Sequence, residues 1–144
     1  IDMELTAELV FDAAHRILGH AGKCAYLHGH TYRIEVTVSA PALDRLGMVI
    51  DFDDLRAMVK KTVVDRWNHA TLLSGEDPLA DAVASVQAEA PEKVVRFPGN
   101  PTAELLTLTA WKLISQALPP DLTLERVVIK EGPGCSSAIS RERR

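Results

Sequence analysis

Two stretches of the chain alternate apolar and polar residues with a period of two, and this pattern commits much of it to a sheet with one buried face. Residues 3–11 place Leu5, Ala7, Leu9 and Phe11 on one parity, and residues 30–39 place Tyr32, Ile34, Val36 and Val38 on one parity. Successive side chains of a strand point to opposite faces, so each stretch reads as a half-buried strand. After Ile50-Asp51-Phe52 the period changes: Leu55, Met58, Val59, Val63 and Trp67 recur every three or four positions, a helix stripe over 53–67. Asp77-Pro78 and Asn100-Pro101 each set a capping side chain before a proline suited to the first helical position. They predict helices over 78–89 and 101–118, the second carrying Leu106, Leu113, Ile114 and Ala117 on one side. Val94, Val95 and Phe97 suit a short strand, and residues 122–131 suit a longer one. A Gly-Pro-Gly turn then leads to a last short strand near Ser137–Ser140. The order β-β-α-(α)-α-β-(β) predicts an α+β fold, an antiparallel sheet with helices on one face. Neither Pro nor a row of Lys protects the strand at 30–39, so it is expected to be an edge covered by pairing between subunits.

At 144 residues the chain reads as a single domain, 1–144, large enough to bury a core without disulfide or metal staples. Its 16 basic and 20 acidic residues give a net charge of −4, the wrong sign for a general nucleic-acid binder. No apolar run approaches the roughly 20 residues of a membrane span. No basic, apolar leader is visible, and Cys24 and Cys135 cannot make a disulfide framework, so a soluble protein of the cytoplasm is expected. Trp67 and Trp111 fall on apolar helix faces and read as core, while Lys60-Lys61 and the Arg141–Arg144 tail read as solvated charge.

The chemistry gathers around three histidines. His15 closes Phe11-Asp12-Ala13-Ala14-His15, and His28-Gly29-His30 opens the second strand. Residues i and i+2 of a strand share a face, so His28 and His30 present two imidazoles side by side. If the first two strands pair antiparallel, His15 comes to the same corner. Three neutral nitrogen ligands with an open fourth position hold a catalytic zinc, whereas a closed four-ligand shell marks a structural one. Cys24, four positions before His28, is open to three readings: an inert buried thiol, a fourth zinc ligand that closes the shell, or a thiolate acting as base or nucleophile. His20 has no partner at ligand spacing and reads as a surface or satisfied core histidine, and Cys135 has no assigned role.

These residues together resemble the 6-pyruvoyltetrahydropterin synthase and 6-carboxytetrahydropterin synthase family. The matching pieces are Phe11-Asp12-Ala13-Ala14-His15-Arg16, Cys24 to His30, Gly47-Met48-Val49-Ile50-Asp51-Phe52, His69, Pro101-Thr102-Ala103-Glu104 and Glu131. The resemblance implies the tunnelling fold, in which β-β-α-α-β-β subunits join their sheets into a barrel, usually as a hexamer with active sites at subunit boundaries. It also implies that His15, His28 and His30 hold zinc and that Cys24 is the general base. By the same likeness, His69 is the catalytic histidine, Glu131 anchors the guanidine-like edge of a pterin, and Thr102 and Glu104 line the pterin pocket. The substrate implied is 7,8-dihydroneopterin triphosphate.

The three-residue gap between Cys24 and His28 resembles the bacterial 6-carboxytetrahydropterin synthases of the queuosine route. That branch implies 6-carboxy-5,6,7,8-tetrahydropterin as product, with release of acetaldehyde and triphosphate. The chain departs from the family pattern where Asn68 precedes His69 in place of the usual Asp, and Leu73 stands where an Asn is common. An amide oxygen at Asn68 can accept from the His69 ring, which keeps Asn68 among the catalytic candidates, with Asp65 one turn earlier as a substitute. The terminal tyrosine is missing near Ser140, and Gly132 follows Glu131 where the family has threonine. Rival readings are pyruvoyl-pterin chemistry by triphosphate elimination alone, a non-catalytic pterin-binding paralogue, and a structural zinc domain closed by Cys24. Arg16, Lys23 and Arg33 are the candidates for holding the triphosphate.

Overall fold

The computed structural model describes residues 2–142. Its elements are β1 (Met3–His15), β2 (His28–Ala40), α1 (Phe52–Val59), α2 (Asp65–Trp67), β3 (Ala70–Ser74), α3 (Pro78–Val86), β4 (Val94–Phe97), α4 (Ala103–Ala117), β5 (Thr123–Gly132) and β6 (Cys135–Ser140). The six strands form one sheet in the order β4-β3-β1-β2-β5-β6. β1, β2, β5 and β6 pair antiparallel, while β3 adds to β1, and β4 to β3, in parallel. The α+β fold is as expected, but the sheet is mixed because β4 is reached from β3 through the crossover helix α3, which returns the chain in the same direction. β2 is not an edge: it lies between β1 and β5, and the sheet's edges are β4 and β6.

The alternation reads true. Ala7, Leu9 and Phe11 from β1 are buried, and Tyr32, Ile34, Val36 and Val38 from β2 are fully so. The helices cover this face with Leu55, Val59, Val63 and Trp67 and with Leu106, Ala110 and Ile114. Phe11 stacks on Tyr32 with ring centroids 5.0 Å apart, and Trp67 meets Phe11 edge-on at 5.8 Å.

Between α1 and α2 the helix widens into a π-helical turn, Lys60–Val64. The buried positions 55, 59, 63 and 67 explain it. A strict four-residue repeat rotates about 40° per step on a helix of 3.6 residues per turn. One wider turn brings Val63 and Trp67 back over the sheet. Thr62 follows the distortion, its hydroxyl donating to the Met58 carbonyl at 2.8 Å.

Asp77 caps α3 as expected, accepting from Leu79 N, but α3 stops at Val86. The start of α4 differs from expectation. Its cap is Thr102, whose hydroxyl accepts from Leu105 N at 3.1 Å. Asn100 instead bridges to Leu18, accepting from its N–H at 3.0 Å and donating to its carbonyl at 2.9 Å. Two residues close together could each cap this helix, and the tertiary contact to Leu18 decides between them.

Tyr32 Oη is buried and has no hydrogen-bond partner among the described residues. Burial, followed by the negative charge of Glu131, pushes this phenol up, so it stays protonated. An unmade buried hydrogen bond costs about 1–3 kcal/mol. Tyr32→Phe is therefore expected to stabilise the metal-free protein and raise its melting midpoint by a few degrees in calorimetry. A lower midpoint would show that the hydroxyl has a partner in solution.

Candidate active site

The β1–β2 register sets His15 opposite His28 and Ala13 opposite His30. All three imidazoles therefore project from one face at one end of the hairpin. His15 Nδ1 lies 2.8 Å from the Pro101 carbonyl, and His28 Nδ1 lies 2.6 Å from the Tyr26 carbonyl. A carbonyl only accepts, so each Nδ1 carries the proton and each Nε2 presents a lone pair. Pro101 can serve His15 because it lies outside α4 and its carbonyl is free of the helix ladder. His30 Nε2 sits 3.1 Å from His15 Nε2, and one ligand nitrogen from each of the three rings lies within 4.8 Å of the others.

Burial holds His15 below the ordinary imidazole value, outweighing the opposite pull of the Pro101 carbonyl, with His28 adding to the lowering. Burial also lowers His30, against the pull of Glu131. Three imidazoles whose ligand nitrogens gather within 4.8 Å, two of them oriented by backbone carbonyls, suit a nitrogen-preferring divalent metal.

Beside the trio is a cavity of about 420 Å³ lined by His15, His20, Cys24, Thr102, Glu104 and Glu131, with Cys135 and Ser136 on the β6 side. Cys24 is half-buried in a 3-10 turn, Lys23–Ala25, and its carbonyl accepts from Ile17 N at 2.8 Å, which folds the β1–β2 loop back over the strand ends. Its sulfur is not among the clustered ligand atoms, which are those of the three histidines alone. Glu131 lies near the end of β5 with Oε1 4.0 Å from His15 Nε2. A more apolar cavity of about 470 Å³, bounded by β4 and α4, contains none of these residues.

His69 is elsewhere. It borders a shallow depression with Asp12, Gly29, His30, Thr31 and Thr71, and Cys24 is not part of that wall. Its backbone is left-handed, with φ of 60°, at the junction of α2 and β3. His69 N donates to the Asp12 carbonyl at 2.6 Å, and Asp12 N donates to Asn68 Oδ1 at 3.0 Å. The expected contact between the Asn68 amide and the His69 ring is thus replaced by a clamp on β1. Asp65 is no substitute, since its carboxylate pairs with Lys60 at 2.8 Å.

His20, Cys135 and Ser136 also border the cavity, although no sequence motif assigns them to it. For His20 the available signal was its place in the twelve-residue loop between the strands, which must fold back beside Cys24. The order of the strands places Cys135 and Ser136, and no local pattern announces them.

The chain matches the family model described as 6-pyruvoyl tetrahydropterin synthase over residues 4–142. A protein of Rickettsia bellii named 6-carboxy-5,6,7,8-tetrahydropterin synthase is 38% identical over 106 residues, covering 74% of this chain and 75% of that one. A Halobacterium salinarum protein named probable 6-carboxy-5,6,7,8-tetrahydropterin synthase is 34% identical over 125 residues, 87% of this chain and 78% of its own. Among solved structures, Caenorhabditis elegans 6-pyruvoyl tetrahydropterin synthase superposes with a TM-score of 0.72 at 21% identity, covering 99% of this chain and 97% of that one. With the family model matched over nearly the whole chain and a relative 38% identical over three quarters of it, the chain belongs to the 6-pyruvoyl tetrahydropterin synthase family.

Proposed function

We propose that this protein is a zinc-dependent lyase that converts 7,8-dihydroneopterin triphosphate to 6-carboxy-5,6,7,8-tetrahydropterin, releasing acetaldehyde and triphosphate, on the queuosine route. The observation that carries this reading is the trio of imidazole nitrogens within 4.8 Å of one another, beside a cavity that also holds a thiol and two carboxylates. The names of the relatives favour the carboxy product over the pyruvoyl one.

His15, His28 and His30 hold the zinc, which when bound supplies positive charge that stabilises negative charge developing on the substrate's side-chain oxygens. Cys24, as thiolate, takes the carbon-bound proton. Glu131 accepts from the amino and ring N–H groups of the pterin, the donor pair that a half-buried carboxylate calls for. Thr102 and Glu104 border the ring, and the hydroxyl of Thr102 is held by its capping bond to Leu105 N. His69 is the second proton-transfer group. His69 and Cys24 line different depressions of one chain, which fits a site assembled at a boundary between subunits of a homohexamer, and the outer edge of β6 is a place where sheets can join. Asn68 acts on His69 through the backbone clamp to Asp12.

The test is incubation of zinc-replete protein with dihydroneopterin triphosphate. Acetaldehyde and a carboxy-pterin mass are expected. Pyruvoyl-pterin without acetaldehyde would move the protein to the other branch of the family, and unchanged substrate that stays bound would make it a pterin binder.

A further inference from the structure

Few basic side chains near the cavity are free to meet a triphosphate. Arg16 is engaged by both its Nε and Nη2 with the Asp77 carboxylate, and Arg33 pairs with Glu8 on the opposite face of the sheet. His15 belongs to the metal trio. Of the basic side chains that line the cavity, this leaves His20.

A backbone N–H orients the His20 ring. Gly22 N donates to His20 Nδ1 at 2.8 Å, so the neutral ring carries its proton on Nε2. A Cβ on Gly22 would meet His20 Cε1 at 3.1 Å, so the ring lies close against a residue with no side chain. The ring's one remaining donor is Nε2–H. His20 is both exposed and part of the cavity wall, which sets the residue at the mouth rather than on the floor.

The cavity is chemically polarised. The carboxylates of Glu131 and Glu104 suit a ligand edge rich in N–H donors, and they repel phosphate. A ligand with such an edge and an anionic tail must lay the edge toward the acids and the tail toward the mouth. We infer that His20 binds a phosphate oxygen of the substrate's tail and makes the site select the phosphorylated pterin over its dephosphorylated form. The phosphate assignment stands on the cavity's donors; the identity of the carrier rests on the proposed function.

The experiment measures binding of 7,8-dihydroneopterin triphosphate, 7,8-dihydroneopterin and inorganic tripolyphosphate to zinc-loaded wild type, His20→Leu and His20→Gln by titration calorimetry. His20→Leu is expected to weaken both phosphate-bearing ligands by about tenfold or more, the scale of one hydrogen bond to a charged group. It should leave dihydroneopterin unchanged, and His20→Gln, which keeps an N–H donor, should recover most of the loss. In steady state the Leu variant should raise KM with kcat retained. Equal weakening of all pterins, or no weakening of the phosphate-bearing ligands, overturns the inference. If wild type binds tripolyphosphate through His20 but neither pterin, the pterin reading fails while the phosphate assignment survives. If wild type binds none of the three, both fall.

Discussion

Cys24→Ala is expected to lower turnover of 7,8-dihydroneopterin triphosphate by about 10²–10⁴-fold, the usual worth of a positioned acid–base group. Bound zinc should stay at the wild-type ratio. The two readouts separate the roles that the sequence leaves open. A thiol that closes the metal shell loses metal when it is removed; a thiol that moves a proton loses rate and keeps metal. The geometry favours the second, because the converging ligand atoms belong to His15, His28 and His30 and the Cys24 sulfur stands outside that group. Iodoacetamide adds a third readout: in zinc-loaded protein Cys24 should alkylate, whereas a zinc-bound sulfur would be spared until the metal is stripped. Cys135 borders the same cavity and is exposed, so the labelling is done in a Cys135→Ser background. Retained turnover in Cys24→Ala would remove the base assignment, and loss of zinc would make the centre a structural one.

What was legible in the sequence follows from where the physics is local. Burying one face of a strand imposes a period of two, so the parity of Phe11, Tyr32 and their neighbours could be read before any partner was known. The histidine trio needed only one more step, the pairing of β1 with β2, because His28 and His30 already share a face and the hairpin returns to His15. β3 had no such signature. Ala70-Thr71-Leu72-Leu73-Ser74 is a short, mostly buried run without alternation, and it pairs in parallel with a strand more than fifty residues away. Its position also explains the backbone of His69, which must turn from α2 into a strand docked on β1. The cap at Asn100 and the partner of the Asn68 amide differ from expectation for one shared reason. Asn serves equally as cap, turn or tertiary clamp, and contacts to Leu18 and Asp12 select among these. The edge assigned to β2 failed because β5, although nearly a hundred residues later, returns to pair with it.

Arg16→Met is expected to destabilise the protein by about 3–5 kcal/mol at neutral pH, the range for breaking a buried ion pair from one side. The Asp77 side chain is 0% exposed and that of Arg16 24%, so removing the guanidinium strands a carboxylate that water does not reach. Arg16 Nε donates to Asp77 Oδ2 at 2.7 Å, Nη2 donates to Oδ1, and the same Oδ1 accepts from Leu79 N at 2.9 Å. One carboxylate thus joins the residue after His15 to the turn between β3 and α3. Asp77→Ala should cost less, because the arginine left behind can reach solvent and what is lost is the bidentate pair together with the cap.

The pH dependence fixes the sign. The hydrogen bonds from Arg16 hold Asp77 below its ordinary value, against the opposing effect of burial. A carboxylate with a depressed folded-state pKa contributes stability that is present above its unfolded value, near 3.8, and is lost as pH falls through the lower folded value. In Arg16→Met the buried Asp77 takes up its proton at higher pH than in wild type, which relieves the stranded charge. Urea unfolding followed by tryptophan fluorescence should therefore give a large difference between the two proteins at pH 7 that shrinks toward pH 4. A difference independent of pH would mean that the lost packing of the arginine stem, rather than its charge, carries the effect. Because His15 precedes Arg16 directly, zinc affinity measured against a competing chelator should fall in the same variant even where it remains folded.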